Sequence, residues 1–253
     1  MPETANEAKL TKHEGFIALF DILGYVSFLE AHATPEQRTY TALNAILEAK
    51  FEVPARITQQ LGDYIDSELK EIKWVVFSDT ILIAAPYDSQ SVEDKDRKFL
   101  LMTVIGAHLQ RYMFDSGLPL RGAITEGEFV LAETCFAGQP IVKAHRLSTA
   151  LDLATCVIDD DIISRQPRMK KSHLIHRYRT PLKESKEADQ YILFPLCYTP
   201  PTGPGWHDTD IKQLVTEAFW KYGKQIGLRE LPKLAHTELL FHFIRSKMGQ
   251  DFR

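Results

Sequence analysis

Residues 15–30, GFIALFDILGYVSFLE, constrain the fold more than any other part of the sequence. The apolar run at 16–20 has the pattern of a buried strand, and it ends on a carboxylate, Asp21. Gly24 follows three residues later, and the pattern then becomes helical. A buried carboxylate costs several kcal/mol to desolvate unless a cation or hydrogen-bond donors compensate it. The stretch therefore predicts a strand, a tight turn and a helix, with an acid at their junction.

A second acid has a similar setting. Residues 73–86, KWVVFSDTILIAAP, read as two strands broken at Ser78 and Asp79, which predicts a hairpin with a carboxylate at its tip. If the first strand pairs with this hairpin, Asp21 and Asp79 lie side by side and form an oxygen-ligand site for Mg²⁺ or Mn²⁺. The alternative is that each acid caps a neighbouring helix or turn. The presence of both acids, each at the end of its own strand, favours the metal site.

The turn after Asp21 suggests a phosphate site. Backbone N–H groups at the start of a helix favour negative charge, and those of Leu23, Gly24 and Tyr25 are expected to be free here. A metal at Asp21 beside these donors would suit a triphosphate.

Two arginines extend this hypothesis. Arg121 lies in an apolar strand, LPLRGAI, where it either faces outward or binds an anion. Arg146 lies three residues after Lys143 on a predicted helix, so the two share a helix face. That face is either a solvated basic surface or a source of positive charge for a transferring phosphoryl group.

The order of predicted elements is strand–helix–helix–strand–strand–helix–strand–strand–helix. It favours an α+β sandwich with a mixed or antiparallel sheet and helices on one face. A proline- and glycine-rich segment at 199–208 predicts a linker, so we expect a catalytic domain over 1–198 and a helical extension over 199–253.

Composition excludes several classes of protein. The 253 residues carry a formal charge of −4, which implies no general affinity for nucleic acid. No apolar run approaches the ~20 residues of a membrane span, and the N-terminus has no apolar signal region. Cys135, Cys156 and Cys197 form neither a zinc pattern nor a disulfide framework. We therefore expect a cytoplasmic protein.

Four motifs between roughly residues 14 and 150 resemble the class III nucleotidyl cyclases. FIALFDILGYVSFL is similar to the opening motif, FSDTILIA to the second metal-aspartate motif, LPLRGAITEGEFV to the arginine-containing strand, and CFAGQPIVKAHRL to the final helix. The resemblance implies a ferredoxin-type sandwich with a central, mostly antiparallel sheet, flanking helices and, here, additional C-terminal helices. It also implies a homodimer and two Mn²⁺ or Mg²⁺ ions per site.

The resemblance assigns roles to five positions. Asp21 and Asp79 match the metal aspartates, and Ile22 matches the residue whose backbone carbonyl binds one metal. One ion would activate the ribose 3′-hydroxyl and the other would hold the triphosphate. Arg121 matches a triphosphate-binding arginine, and Arg146 matches the transition-state arginine supplied across the dimer interface.

Three positions depart from the family pattern. Val142 stands where the family has an asparagine that orients the ribose, and the adjacent Lys143 is a candidate substitute. Val75 and Cys135 stand near the lysine and acid that select purines. The chain is therefore either an inactive nucleotide-binding or dimerisation module, or an enzyme for a different base. A purine cyclase with unusual base contacts is the less favoured third hypothesis.

We favour a different base, because the metal and phosphate positions are all kept. This combination resembles the pyrimidine cyclases of bacterial Pycsar antiphage systems, which make cyclic UMP or cyclic CMP. The resemblance favours UTP over CTP and implies a separate effector that reads the product. Tyr40 is a candidate base-pocket residue, or else a partly buried core aromatic. Residues 173–179 are either an exposed strand face or, as in the family, part of a hairpin that brings a lysine such as Lys183 or Lys186 near the triphosphate.

Overall fold

The computed structural model describes residues 11–30, 34–131, 136–166, 173–184, 186–194, 210–222 and 227–251. The strands of the described chain are β1 (Thr11–Ile22), β2 (Lys73–Phe77), β3 (Thr80–Pro86), β4 (Leu120–Leu131), β5 (Phe136–Gly138), β6 (Cys156–Ile158), β7 (Ile175–Leu182) and β8 (Lys186–Leu193). The helices are α1 (Tyr25–Glu30), α2 (Pro35–Leu61), α3 (Asp66–Glu71), α4 (Val92–Asp115), α5 (Gln139–Ala150), α6 (Asp160–Arg165), α7 (Ile211–Trp220) and α8 (Leu231–Asp251).

The strands form one sheet in the order β2-β3-β1-β4-β6-β8-β7, and β5 pairs with β4. Only the β4–β6 pair is parallel among these described strands, and α5 makes the crossover between its two members. The other pairs are antiparallel. This architecture confirms the predicted α+β fold with a central, mostly antiparallel sheet and flanking helices.

Helices cover both faces of the sheet, so the expectation of helices on one face was wrong. Side chains of a strand alternate between its faces, and Phe16 and Phe20 of β1 pack in a core with α2 and α4. Ile17 and Leu19 point the other way and pack with α5, α7 and α8. Asp21 continues this second series, which places it on the α5 face.

The C-terminal helices are part of this second layer. The Phe114 ring of α4 lies 4.9 Å from the Phe241 ring of α8, and both belong to the core on the α5 face. The Ala154 backbone N–H donates a buried hydrogen bond of 2.9 Å to Thr237 Oγ1. The predicted linker at 199–208 lies outside the described residues. Within the described chain, no helix is both long and apolar enough to span a membrane.

Two helix ends differ from the predicted ones. The helix expected over 34–51 continues to Leu61, because Val53 and Ile57 extend its buried stripe into the core shared with α4. The helix expected over 139–154 ends at Ala150. Leu151 is extended there and forms an isolated bridge with Leu182, which draws the chain toward the β7–β8 hairpin.

Candidate active site

The two predicted metal aspartates meet at one end of the sheet. Asp21 is the last residue of β1 that pairs with β3. Its partner there is Thr80, the residue that follows Asp79. The Ile22 N–H donates to the Asp79 carbonyl at 3.3 Å, which ties the hairpin tip to the end of β1. The sequence expectation of a hairpin with an acid at its tip, beside the first strand, is thus confirmed.

Arg121 completes the same row of residues from the other side. It is the register partner of Asp21 on β4, and its Nε and Nη2 both donate to Asp21 Oδ2, at 2.9 and 2.6 Å. Both side chains are about 15% exposed. Arg121 therefore faces the site and compensates the charge of Asp21; its role in binding triphosphate stays a prediction.

Asp79 lies in a less favourable electrostatic setting. Its pKa is raised from 3.8 to about 6, first by burial, then by a hydrogen bond to Asp21 and by the negative charge of that neighbour. A hydrogen bond from Ser78 acts in the opposite direction. Ser78 has φ of 53°, a conformation that glycine adopts more readily, and it turns the hairpin so that Asp79 faces Asp21.

The pair suits a divalent cation. Two converging carboxylates that share a proton below about pH 6 are stabilised when a cation replaces that proton. Arg121 occupies only Oδ2 of Asp21, which leaves Oδ1 as a further oxygen donor. In the part of the chain that the structure describes, no cluster of three or more His, Cys, Asp or Glu side chains is placed to hold a metal.

The turn after Asp21 corrects one expectation. The Leu23 N–H donates to the Pro119 carbonyl at 2.8 Å, so it is not free to bind a phosphate. Gly24 has φ of 76°, in the region that favours glycine, and a side chain there would meet open space. Tyr25 begins α1 and its ring stacks near Phe28 at 6.1 Å. Binding of phosphate at Gly24 and Tyr25 stays a prediction.

Arg146 lies on the exposed side of α5. None of the described residues forms a hydrogen bond or an ion pair with its guanidinium. Val142, four residues earlier, is 48% exposed on the same side of the helix. Arg146 thus forms no hydrogen bond or ion pair with Asp21 or Asp79 of its own chain, and its action across an interface stays a prediction.

Lys143, the candidate substitute for the missing asparagine, is paired with two acids of its own chain. Its Nζ forms ion pairs with Asp159 at 2.5 Å and with Asp161 at 2.8 Å. Asp159 caps α6, and the three acids at 159–161 lie at the start of that helix. These contacts occupy its ammonium, and its role in place of the asparagine stays a prediction.

The hairpin between β7 and β8 contributes one lysine, which the sequence left undecided. Burial, then the positive charges of Arg121 and Lys233, lower the pKa of Lys183, while the charges of Asp152 and Asp21 raise it. Lys183 is therefore close enough to the Asp21–Arg121 pair for both charges to affect its pKa. Lys186 is exposed and pairs with Glu184 at 2.7 Å, so Lys183 is the candidate.

Of the positions linked to base recognition, two are described. Val75 pairs with Leu82, which pairs with Leu19 of β1, so it lies on the α5 face one row from Asp21. Tyr40 is 68% exposed on α2, which excludes the alternative of a core aromatic but does not bring it to the site. Cys135 lies outside the described residues.

The comparisons with known proteins identify the fold. No protein-family model matches the chain, and no curated protein is significantly similar to it. The adenylyl cyclase CyaB from P. aeruginosa aligns over 78% of this chain and 100% of its own, with 14% identity and a TM-score of 0.52. The guanylyl cyclase domain of RhoGC from the aquatic fungus Blastocladiella emersonii aligns over 73% and 96%, with 12% identity and a TM-score of 0.49.

A class III adenylyl cyclase-like ATP-binding protein from Pseudomonas aeruginosa aligns over 65% of this chain and 37% of its own. The identity is 13% and the TM-score 0.44. The alignment with CyaB shows that this chain has the fold of a class III nucleotidyl cyclase, as the four motifs predicted.

Proposed function

We propose that this protein is a metal-dependent nucleotide cyclase. The observation that carries the proposal is the meeting of Asp21, Asp79 and Arg121 at one end of a class III cyclase sheet. In the proposed reaction the ribose 3′-oxygen of a nucleoside triphosphate bonds to the α-phosphorus. The bond from that phosphorus to the pyrophosphate oxygen breaks, and the hydroxyl proton passes to solvent.

The residues of the site divide this work. Asp21 and Asp79 would hold Mn²⁺ or Mg²⁺, two ions in all, with the Ile22 carbonyl as a further ligand. When bound, such ions supply positive charge at the reacting phosphate and the attacking hydroxyl. Arg121 uses only Nε and Nη2 on Asp21, so its other N–H groups are available to a phosphate oxygen. Lys183 would bind the polyphosphate as a mobile point charge.

A homodimer would complete the site. Arg146 and Val142 share the exposed side of α5, and Phe77, in the same row as Asp21, is 80% exposed. An exposed arginine beside exposed apolar side chains suits an interface between protein chains. In such a dimer Arg146 from one subunit would stabilise charge on the phosphoryl group held by the other.

The proposed substrate is a pyrimidine nucleotide, UTP before CTP. Val75 offers no hydrogen bond from the position where purine cyclases have a selective lysine, which supports a base read by other groups. The resemblance to Pycsar enzymes supports a role in bacterial antiviral defence, with cyclic UMP as a messenger for a separate effector.

A second candidate function has one observation in its favour. Val142 cannot orient a ribose, and Lys143 is held by Asp159 and Asp161. A cyclase-fold module that binds a nucleotide or dimerises without turnover would need neither group.

Product analysis separates the two candidates. The purified protein is incubated with all four nucleoside triphosphates and Mn²⁺, and the products are identified by mass spectrometry. A cyclic nucleotide that is absent from a parallel reaction with Asp79→Asn supports the enzyme. Nucleotide binding without any cyclic product, with Mn²⁺ or Mg²⁺, supports the module.

A further inference from the structure

The start of α8 lies beside the proposed nucleotide site. Ser27 of α1, just after the turn at Gly24, donates from Oγ to Glu230 Oε1 at 3.3 Å. On the other side, His236 Nδ1 lies 3.1 Å from the Asp152 carbonyl and 3.2 Å from Asp152 Oδ2. The segment from Glu230 to His236 is thus fixed between α1 and the loop that follows α5.

A cavity of about 480 Å³ connects this segment with the β7–β8 hairpin. The hairpin contributes Lys183 to the wall, and α8 contributes Pro232 and His236. A volume of this size is within the range of small-molecule sites. The first turn of α8 and the candidate phosphate lysine therefore border one space.

Lys233 is the poorly compensated group in this segment. Its side chain is only 16% exposed, and its nearest acid is Glu230 Oε1 at 3.8 Å. No hydrogen-bond acceptor for its ammonium is found among the described residues. An ammonium with one acid at 3.8 Å and no hydrogen-bonded acceptor is well suited to an anionic ligand.

Lys233 also belongs to a group of three cations. Its charge and that of Arg121 both act on Lys183 and help to lower the pKa of that lysine. Mutual repulsion of this kind disfavours the empty site. An anion with several negative oxygens relieves the repulsion and supplies the missing acceptors.

We propose that Lys233, contributed by the C-terminal helices, is a third cationic contact to the polyphosphate, beside Lys183 and Arg121. The inference rests on the proposed function only for the identity of the complete substrate; the anion site stands on the contacts of Lys233. It gives the C-terminal helices a direct part in substrate binding, within the same chain as the aspartates.

The test is calorimetric titration of the full chain with inorganic triphosphate and Mg²⁺. Lys233→Met keeps most of the apolar volume and should weaken binding about tenfold, as expected for a lost charge-assisted contact. Lys233→Arg should stay within about threefold of wild type, because the charge is kept. Lys212→Met, on the exposed start of α7, is the matched control and should leave binding unchanged.

Glu230→Gln is expected to change triphosphate affinity in the opposite direction to Lys233→Met. Removal of the acid beside Lys233 should tighten triphosphate binding about twofold to fivefold, whereas a purely structural role of the pair would weaken it or leave it unchanged. Thermal unfolding of each variant checks the fold, and the ion pair itself should contribute little to stability.

The outcomes separate this inference from the proposed function. Loss of triphosphate binding in Lys233→Met, in a protein that makes no cyclic nucleotide, would support the anion site and refute the enzyme. Cyclic nucleotide formation with a wild-type KM in Lys233→Met would support the enzyme and refute the anion site. Wild-type protein that binds no triphosphate, or a Lys233→Met variant within twofold of wild type, overturns the inference.

Discussion

Arg121 donates two hydrogen bonds to a single oxygen of Asp21, its direct partner across the β1–β4 ladder. The contact compensates the charge of one aspartate of the pair and not of the other. Asp79 has no comparable cation among the described residues, and its pKa is raised to about 6. The two aspartates therefore differ in what they contribute to stability, although the proposed chemistry needs both.

The first prediction follows from this asymmetry. Asp21→Asn and Asp79→Asn should each lower turnover roughly a thousandfold. Each substitution removes a metal-binding carboxylate, and the positive charge of the metal stabilises the transition state by several kcal/mol. Asp79→Asn should raise the free energy of unfolding at pH 7.5 by about 1 kcal/mol, because it removes a repulsion that solvent partly screens. Asp21→Asn should not, because it leaves Arg121 without its partner.

Chemical denaturation and cyclase assays on both variants make this comparison. Equal stabilisation by the two substitutions would show that Arg121 does not compensate Asp21. Near-normal turnover in either variant would show that the metal assignment is wrong.

The second prediction concerns pH. The pKa of Asp79 is higher in the folded protein than its ordinary value, so the protonated form favours folding. Its contribution is complete below about pH 4 and is lost as the pH rises through about 6. Mn²⁺ binding should change in the opposite sense and weaken below about pH 6, because a proton competes for the carboxylate. Electron paramagnetic resonance of free Mn²⁺ measures this binding.

Ser78→Ala tests the cause of the shift. The substitution removes the hydrogen bond that lowers the pKa of Asp79, so the midpoint of Mn²⁺ binding should move to higher pH. The backbone conformation at this position is costly for either residue, which keeps the comparison matched. A midpoint that moves downward would contradict the assigned hydrogen bond.

The third prediction compares two lysines of one hairpin. Lys183→Met should raise KM for the nucleotide about tenfold or more, because a charged contact to phosphate is lost. Lys186→Met should leave KM within about twofold, since Lys186 is exposed and pairs only with Glu184 among the described residues. Steady-state kinetics at fixed Mn²⁺ give both values, and equal effects would refute the choice of Lys183.

Local patterns in the sequence predicted the part of the site built by neighbouring strands. The apolar run of β1 and the break at Ser78 predicted a strand and a hairpin that each end on an acid, and their pairing brings Asp21 and Asp79 together. Contacts that depend on distant segments had no local signal. The Pro119 carbonyl on the Leu23 N–H and the acids that hold Lys143 come from tertiary packing.

The same reason explains the missed second layer. A helical extension over 199–253 was predicted, but nothing in its sequence pattern indicates which sheet face its helices cover. The contact between Glu230 and Ser27 joins residues 203 positions apart, and only the fold places it beside the site.

The fourth prediction tests the shared site. Subunits carrying Asp79→Asn and subunits carrying Arg146→Ala should each be inactive, and a mixture should recover activity. A mixed dimer contains one site with intact aspartates from one chain and an intact arginine from the other. In a statistical mixture about half of the dimers are mixed, each with one of two sites, so about a quarter of wild-type activity is expected.

The control for this experiment is a mixture of Asp79→Asn with Asp21→Asn, since both changes fall in the same chain's part of the site. That mixture should stay inactive. If Arg146→Ala and Asp79→Asn subunits are shown to exchange by native mass spectrometry and no activity returns, the shared site is refuted.

The last prediction is the base preference. Val75 lies on the face of the sheet that carries Asp21, one row away, and offers no hydrogen bond to a purine edge. A buried polar group of the base left unpaired costs about 1–3 kcal/mol, which is roughly tenfold to hundredfold in rate or affinity for each group. An equimolar mixture of the four nucleotides with Mn²⁺ should therefore yield mainly cyclic UMP, or otherwise cyclic CMP.

Val75→Lys with Cys135→Asp restores a donor and an acceptor for a purine, so it should raise any trace of cyclic AMP, with Val75→Met as the apolar control. A wild-type protein that makes mostly cyclic AMP or cyclic GMP would show that the purine edge finds its partners elsewhere in the site.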